Sequence, residues 1–315
     1  MLQKCVRDQW RVDDLDWTVP PPDLPREKEE AVVQYFTDME GIEHLAAALF
    51  EAQGRKTADP TLRKIFATFV ADENRHAAVA ARLARHYDVH RYRTYAQHES
   101  LARFRPHFLA AIEHLPPEIA NGYVTAGELL LDVALLRSLD DYVDDAMSHQ
   151  AMELINRDES RHIAIDFHMT EVYSSDEFLA ARKRRPKPPL VDRARGAWAM
   201  GNMLWFAAPF LRQVFLEPLD TTDPTGRRLR EAFKRIQLLT NKPTVARLPL
   251  SRFTLVLQDV YNHPVAGPLF GRLVLRMLGA DERIARILYT QEELARSRRM
   301  SFDELAEDAL AAKYD

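Results

Sequence analysis

The sequence predicts an all-α protein: an antiparallel four-helix bundle followed by additional C-terminal helices. Three observations predict it. Apolar residues recur at steps of three and four over long stretches, as in Val32, Phe36, Met39, Ala46 and Phe50. No stretch shows the apolar alternation and tight turns of a strand pair. A charged pentapeptide occurs twice, as Asp72-Glu73-Asn74-Arg75-His76 and Asp158-Glu159-Ser160-Arg161-His162, each preceded by apolar residues at helical spacing.

Taken in order, residues 1–26 carry Trp10, Trp17 and the run VPPPDLP. Proline-rich chain stays extended, so the spacing predicts an arm lying over the bundle. The bundle itself is expected over 27–175. Its first helix runs from about Glu27 to Gln53. GRKTADP is a turn, with Pro60 suited to a helix start. The second helix, about Pro60 to His86, carries the first pentapeptide. A short helix is expected around His98–His114. Pro116-Pro117 opens the third long helix, to about Asp145, and the fourth, about Ser148 to Tyr173, carries the second pentapeptide. Residues 176–190 contain RKRRPKPP and read as a linker, ahead of a helical extension over 191–315 that prolines cut into short pieces.

Composition bounds the function. The chain has 315 residues, 46% hydrophobic and 29% charged, with net charge −4. That is enough chain for a sizeable core and gives no general attraction to nucleic acid. A single cysteine, Cys5, excludes a disulfide framework and a thiolate metal site. The N-terminus lacks a signal peptide's apolar core, so a cytoplasmic location is expected. Gly196–Leu211 is uncharged, but it is short for a membrane span and contains Pro209. It reads as a buried helix or pocket wall, with a monotopic membrane contact as the alternative. Neither a transmembrane span nor a nucleic-acid partner is expected; a homodimer is allowed.

The pentapeptides carry the chemistry. A Glu and a His three apart share one helix face, about 5–6 Å apart at Cβ, so both reach one metal ion from one side. Glu-x-x-His alone arises roughly once by chance in such a chain, but the shared Asp and Arg flanks make each match about a hundredfold rarer. Two such pairs, plus one Glu from each of two other helices, form the dinuclear metal site of a four-helix bundle. Metal-bound His normally gives its second N–H to a carboxylate. In antiparallel packing Asp158 is placed to serve His76, and Asp72 to serve His162.

Level and face select the remaining carboxylates. Glu128 and Glu159 are equidistant from the turn between Tyr142 and Asp145, each about 23 Å away along its helix. Glu128 shares an apolar face with Val124, Leu131 and Leu135, where a bare carboxylate is costly. A buried salt bridge is the plain alternative. On the first helix, Glu40 matches Glu73 better in level, and Glu43 lies more centrally on the apolar stripe. The reading takes Glu40 as the ligand, with Glu43 on or beside the metal. The expected metal set is thus Glu40, Glu43, Glu73, His76, Glu128, Glu159 and His162, with Asp72 and Asp158 behind the histidines.

With these residues in place, the chain resembles the ferritin-like di-iron carboxylate superfamily. Asp59-Pro60-Thr61-Leu62-Arg63-Lys64 through His76, Arg157 through His162, and the step from Glu128 to Glu159 are similar to the p-aminobenzoate N-oxygenase family. The likeness covers roughly residues 30–175. It departs at Ile155, where the N-oxygenases carry a third His. Acyl carrier protein desaturases, with six-ligand sites and Glu-x-Arg-His segments, are also similar. The resemblance implies an O2-activating oxidoreductase that uses two iron ions, or a Mn/Fe pair, with an electron donor and a small organic or acyl substrate. Carboxylate and imidazole ligands suit those metals, and four carboxylates balance two divalent ions in a buried core. Glu73 and Glu159 are expected to bridge the ions. The competing reading is iron storage or a non-catalytic metal-binding bundle, for which residues 176–315 are more chain than is needed.

Overall fold

The computed structural model describes residues 1–186, 189–271, 273, 275 and 282–313. Every regular element among the described residues is helical. The chain divides into two compact units. One comprises Met1–His114, Leu136–Arg161 and Ala199–Thr222; the other comprises Leu115–Leu135, His162–Trp198 and Asp223–Asp315.

The first unit is organised by a helical hairpin. Helix α2 (Arg26–Lys56) and helix α3 (Pro60–Tyr87) are joined by Thr57–Asp59. Asp59 caps α3 by accepting the backbone N–H of Thr61 at 2.7 Å and of Leu62 at 3.1 Å, and Pro60 occupies the first helical position. Aromatic contacts fix the register. Phe50 meets Phe69 edge-on at 5.2 Å and Phe36 stacks on Tyr87 at 5.6 Å. Both pairs centre the hairpin within Asp59–Leu62.

Helix α4 (Glu99–Ile112) packs on α2 where Gly41 lets it approach. A Cβ at Gly41 would stand 2.7 Å from Leu101 Cδ2 and 2.8 Å from Gln97 Cδ. The N-terminal arm is not extended throughout, as the proline run suggests, because that run begins only at Pro20. Ahead of it lie helix α1 (Leu2–Arg7) and a 3-10 turn at Val12–Asp14. The arm is pinned to α3, with the Arg82 guanidinium 4.1 Å over the Trp17 ring and bonded to Asp13 at 2.7 Å.

The next long helix has an interruption that periodicity did not show. Helix α5 (Pro117–Glu128) passes through a π-helical segment, Leu129–Leu136, into helix α6 (Arg137–Val143). By length and composition Pro117–Val143 is apolar enough to cross a membrane, but 67% of its apolar window is buried in the protein, as for a core helix. Asp144, in a left-handed conformation, ends α6. Helix α7 then runs continuously over Ala146–Ser174.

Within the second unit, Asn121 ties α5 to the later part of α7, donating to the Asp166 carbonyl at 3.0 Å and to Thr170 Oγ1 at 2.8 Å. The expected linker is partly helical. Helix α8 (Asp176–Arg184) is capped by Ser175, and Arg182 reaches Glu118 at 3.2 Å. Residues 187 and 188 of the linker lie outside the described residues.

Helix α9 (Leu190–Phe210) runs on through a π turn (Leu211–Leu216) into helix α10 (Glu217–Thr222). Pro209 and Pro218 therefore do not cut it. The π turn follows Pro209 directly, where a helix has already lost a hydrogen bond. Helix α9 is not a buried helix either: Trp198 and Trp205 are 75% and 78% exposed. Phe206 and Phe210 do pack, stacking on His107 and Phe104 of α4 at 4.3 Å and 4.4 Å.

The rest of the second unit is built on helix α11 (Arg227–Thr240) and helix α12 (Pro249–Asn262). Gln237 donates to the Arg286 carbonyl at 2.8 Å and Asn262 to the Ala285 carbonyl at 2.7 Å. Two capping boxes, Thr290/Glu293 and Ser301/Glu304, start the last two helices, Gln291–Arg299 and Phe302–Ala311. Buried Lys313 forms an ion pair with buried Asp132 in the π segment after α5.

Candidate metal centre

Within the first unit, α2, α3 and α7 each bring acidic groups to one point. Glu43 from α2, Glu73 and His76 from α3, and Glu159 from α7 each offer a ligand atom within 4.8 Å of all the others. All four side chains are fully buried. His76 Nδ1 stands 3.1 Å from Glu159 Oε1 and 3.9 Å from Glu73 Oε2. The ring's other nitrogen, Nε2, lies 3.2 Å from Asp158 Oδ2. With the Nε2 proton given to Asp158, the Nδ1 lone pair faces the carboxylates, the orientation a metal-bound histidine requires.

Glu40 is not part of the cluster. It sits half-exposed on α2 one turn from Glu43, whereas level alone made it the choice over Glu43. That choice centred the hairpin on Lys56–Thr57, whereas the aromatic pairs centre it on Asp59–Leu62. In that register Glu43 is level with His76, and the apolar stripe carries it inward.

The flanks of the pentapeptides form a second layer of charge. Asp72 and Asp158 are cross-linked by Arg75 and Arg161. Arg161 Nη2 donates to Asp158 Oδ1 at 2.6 Å and to Asp72 Oδ2 at 3.2 Å. Arg75 donates to Asp158 Oδ2 at 2.8 Å and also binds Asp72. Two anions and two cations so arranged sum to zero, which makes burial of Asp72, Asp158 and Arg161 tolerable, with Arg75 at the edge. The arm closes the layer from outside. The Trp10 indole N–H donates to Asp158 Oδ2 at 2.7 Å, Gln9 Nε2 donates to Asp72 Oδ1 at 2.8 Å, and the Arg75 guanidinium lies 4.9 Å over the Trp10 ring.

Protonation follows from this setting. Burial alone would keep His76 neutral, but the bonds to Asp158 and Glu159 and the charge of Glu43 outweigh it and raise its pKa to about 10. Burial would likewise raise Asp158; His76, Arg75 and Arg161 reverse that and hold its carboxyl well below the ordinary range. In the metal-free protein His76 is thus an imidazolium among carboxylates. His76 would have to give up that proton to hold a divalent cation, since imidazole binds metal only when neutral.

Glu128 and His162 lie in the second unit, both buried, with His162 Nδ1 4.0 Å from Glu128 Oε2. His162 follows Glu159 by three residues in continuous α7. The π segment begins immediately after Glu128. Such segments mark functional sites often enough to be noted.

The donor set itself tests the fit to a metal. Three carboxylates and one imidazole at one buried point are hard and borderline ligands, suited to Fe, Mn or Zn and unsuited to a thiolate-preferring ion. Sequence reasoning singled out Asp158 but missed Arg75, Arg161, Gln9 and Trp10. The two arginines were legible as flanks common to both pentapeptides. Gln9 and Trp10 carry no periodic signal. Comparison with protein-family models, with curated proteins and with solved structures gave no match. The class therefore rests on the site: an all-helical protein with a buried carboxylate–imidazole cluster compatible with metal binding.

Proposed function

We propose that the chain is an O2-dependent di-iron oxidoreductase acting on a small organic or acyl substrate, by hydroxylation, N-oxygenation or desaturation. The observation that carries the reading is the convergence of Glu43, Glu73, His76 and Glu159, with Asp158 bonded to the far side of His76. One ion is assigned to these four side chains. A second would be held by Glu128 and His162 of the second unit. That assignment rests on the repeated pentapeptide and on the approach of these two side chains within the second unit. When bound, such an ion pair supplies the electrons and the site for reducing O2, while the protein supplies geometry and enclosure.

The chain's own residues have three tasks. The carboxylates neutralise the ions, so that a buried divalent pair carries no net charge in the formal count. Asp158 holds the His76 ring by its Nε2 proton, and Trp10 and Arg75 hold Asp158. Full burial of the cluster keeps bulk water from the reacting centre.

The test is anaerobic loading with Fe(II), metal analysis, and rapid mixing with O2. The proposal predicts close to two ions per chain and a transient visible absorption on mixing. Uptake far beyond two ions points to storage instead. No uptake above that of a Glu73→Ala, Glu159→Ala variant refutes the metal centre.

A further inference from the structure

Helix α9 carries an apolar strip that the metal centre does not use. Val191, Ala194, Trp198, Gly201 and Trp205 follow one another at steps of three and four, Leu204 stands three after Gly201, and all six are exposed. Leu204 is 56% exposed, less open than the two tryptophans but well clear of the core. Residues so spaced line one face, here about 21 Å long. The opposite side holds buried Met203 and Phe210. A folded soluble surface rarely exposes two tryptophans and a leucine on one helix without a use for them.

The charges beside the strip are of one sign. Arg182, Lys183, Arg184 and Arg185 precede α9 and are exposed, and Arg193 and Arg195 lie on its first turns. Between Arg182 and Leu211 the sequence holds one acid, Asp192, and its carboxylate is already 3.9 Å from Arg195. We propose that α9 is an interfacial anchor, laying this strip on the surface of an anionic lipid bilayer. Tryptophan and leucine bury into the headgroup boundary while the basic run meets the acidic headgroups. The uncharged stretch from Gly196 to Leu211 is too short to cross a bilayer, so the helix lies in the plane. A second copy of the chain is the poorer occupant, because this helix and the run before it offer no acidic stretch for the partner's cations. The anchor is independent of the metal centre.

The experiment uses the full chain with sedimented vesicles, either pure phosphatidylcholine or an equimolar mixture with phosphatidylserine. The wild type is expected to pellet with the mixed vesicles and to be released by raised salt. The double variant Leu204→Glu, Trp205→Glu alters only exposed positions and should bind at least about tenfold more weakly. Lys183→Glu, Arg184→Glu should lose at least about tenfold on the mixed vesicles, since each cation near an anionic surface is worth roughly fivefold. Circular dichroism checks that both variants fold. The proposal is overturned if the wild type stays in the supernatant with both vesicles, or if the Leu204→Glu, Trp205→Glu variant binds as the wild type does. It is also overturned if the wild type is a dimer that this variant splits, without vesicle binding, which gives the strip to a second copy.

Discussion

His76 and Asp158 meet ring nitrogen to carboxylate at 3.2 Å, each from a different copy of the same pentapeptide. The contact joins α3 to α7 and fixes which side of the imidazole faces Glu43, Glu73 and Glu159. Asp158 Oδ2 is also held by Trp10 and Arg75, so the orientation of His76 depends on a chain of contacts that begins in the N-terminal arm.

Replacing Asp158 with Asn keeps the shape and removes the charge. The His76 ring then loses its anionic acceptor, and Arg75 and Arg161 lose part of their compensation. Iron affinity should fall by about 10- to 100-fold, measured by competition against a chromogenic chelator. Unchanged affinity would leave the His76–Asp158 contact a packing detail.

Glu40 and Glu43 separate level from face. Glu43→Ala should lower iron affinity at least about tenfold, and Glu40→Ala should leave it unchanged. Metal content after dialysis of the two variants side by side distinguishes them. The reverse order would mean that α2 presents its other carboxylate to the ion.

The metal-free protein should be alkali-sensitive. His76 has a folded pKa near 10 against 6.5 for the free group. Between those values the folded state binds more protons than the unfolded one, so stability falls as pH rises. The contribution is complete below about pH 6.5 and gone above about pH 10. Asp158, held low, acts in the opposite window, contributing above its unfolded pKa and losing that contribution in acid. Urea midpoints of apo protein across pH 6 to 10 should fall in the wild type and stay flatter in His76→Gln. Iron should flatten the wild-type curve, because the loaded ring carries no titrating proton.

Two substitutions probe the frame. Trp10→Phe retains most of the packing but removes the indole N–H from a charged acceptor, and should cost about 1.5–3 kcal/mol. Gly41→Ala drives a methyl into Leu101 and Gln97 and should cost about 1–3 kcal/mol. Denaturant unfolding with an unchanged slope measures both.

The helices were legible wherever one face is apolar and punctuation is clear. Asp59-Pro60 marks the start of α3, and Pro116-Pro117 that of α5. The pentapeptides pointed to Glu73, His76 and Glu159, which the first unit gathers at one point. Three things were not legible. The π segment after Glu128 adds a residue per turn, which a run of uniformly apolar side chains such as Leu129–Leu136 does not betray. The choice between Glu40 and Glu43 turned on a hairpin register set by Phe50, Phe69, Phe36 and Tyr87, whose partners are distant in sequence. The exposure of α9 ran against its composition, since an uncharged stretch reads as core whether or not anything covers it.

The most direct test is the anomalous difference map of iron-loaded crystals at the iron edge. The account predicts a peak within bonding distance of Glu43, Glu73, His76 Nδ1 and Glu159, with Asp158 still on His76 Nε2. A peak elsewhere, or none in crystals shown to contain iron, would contradict it.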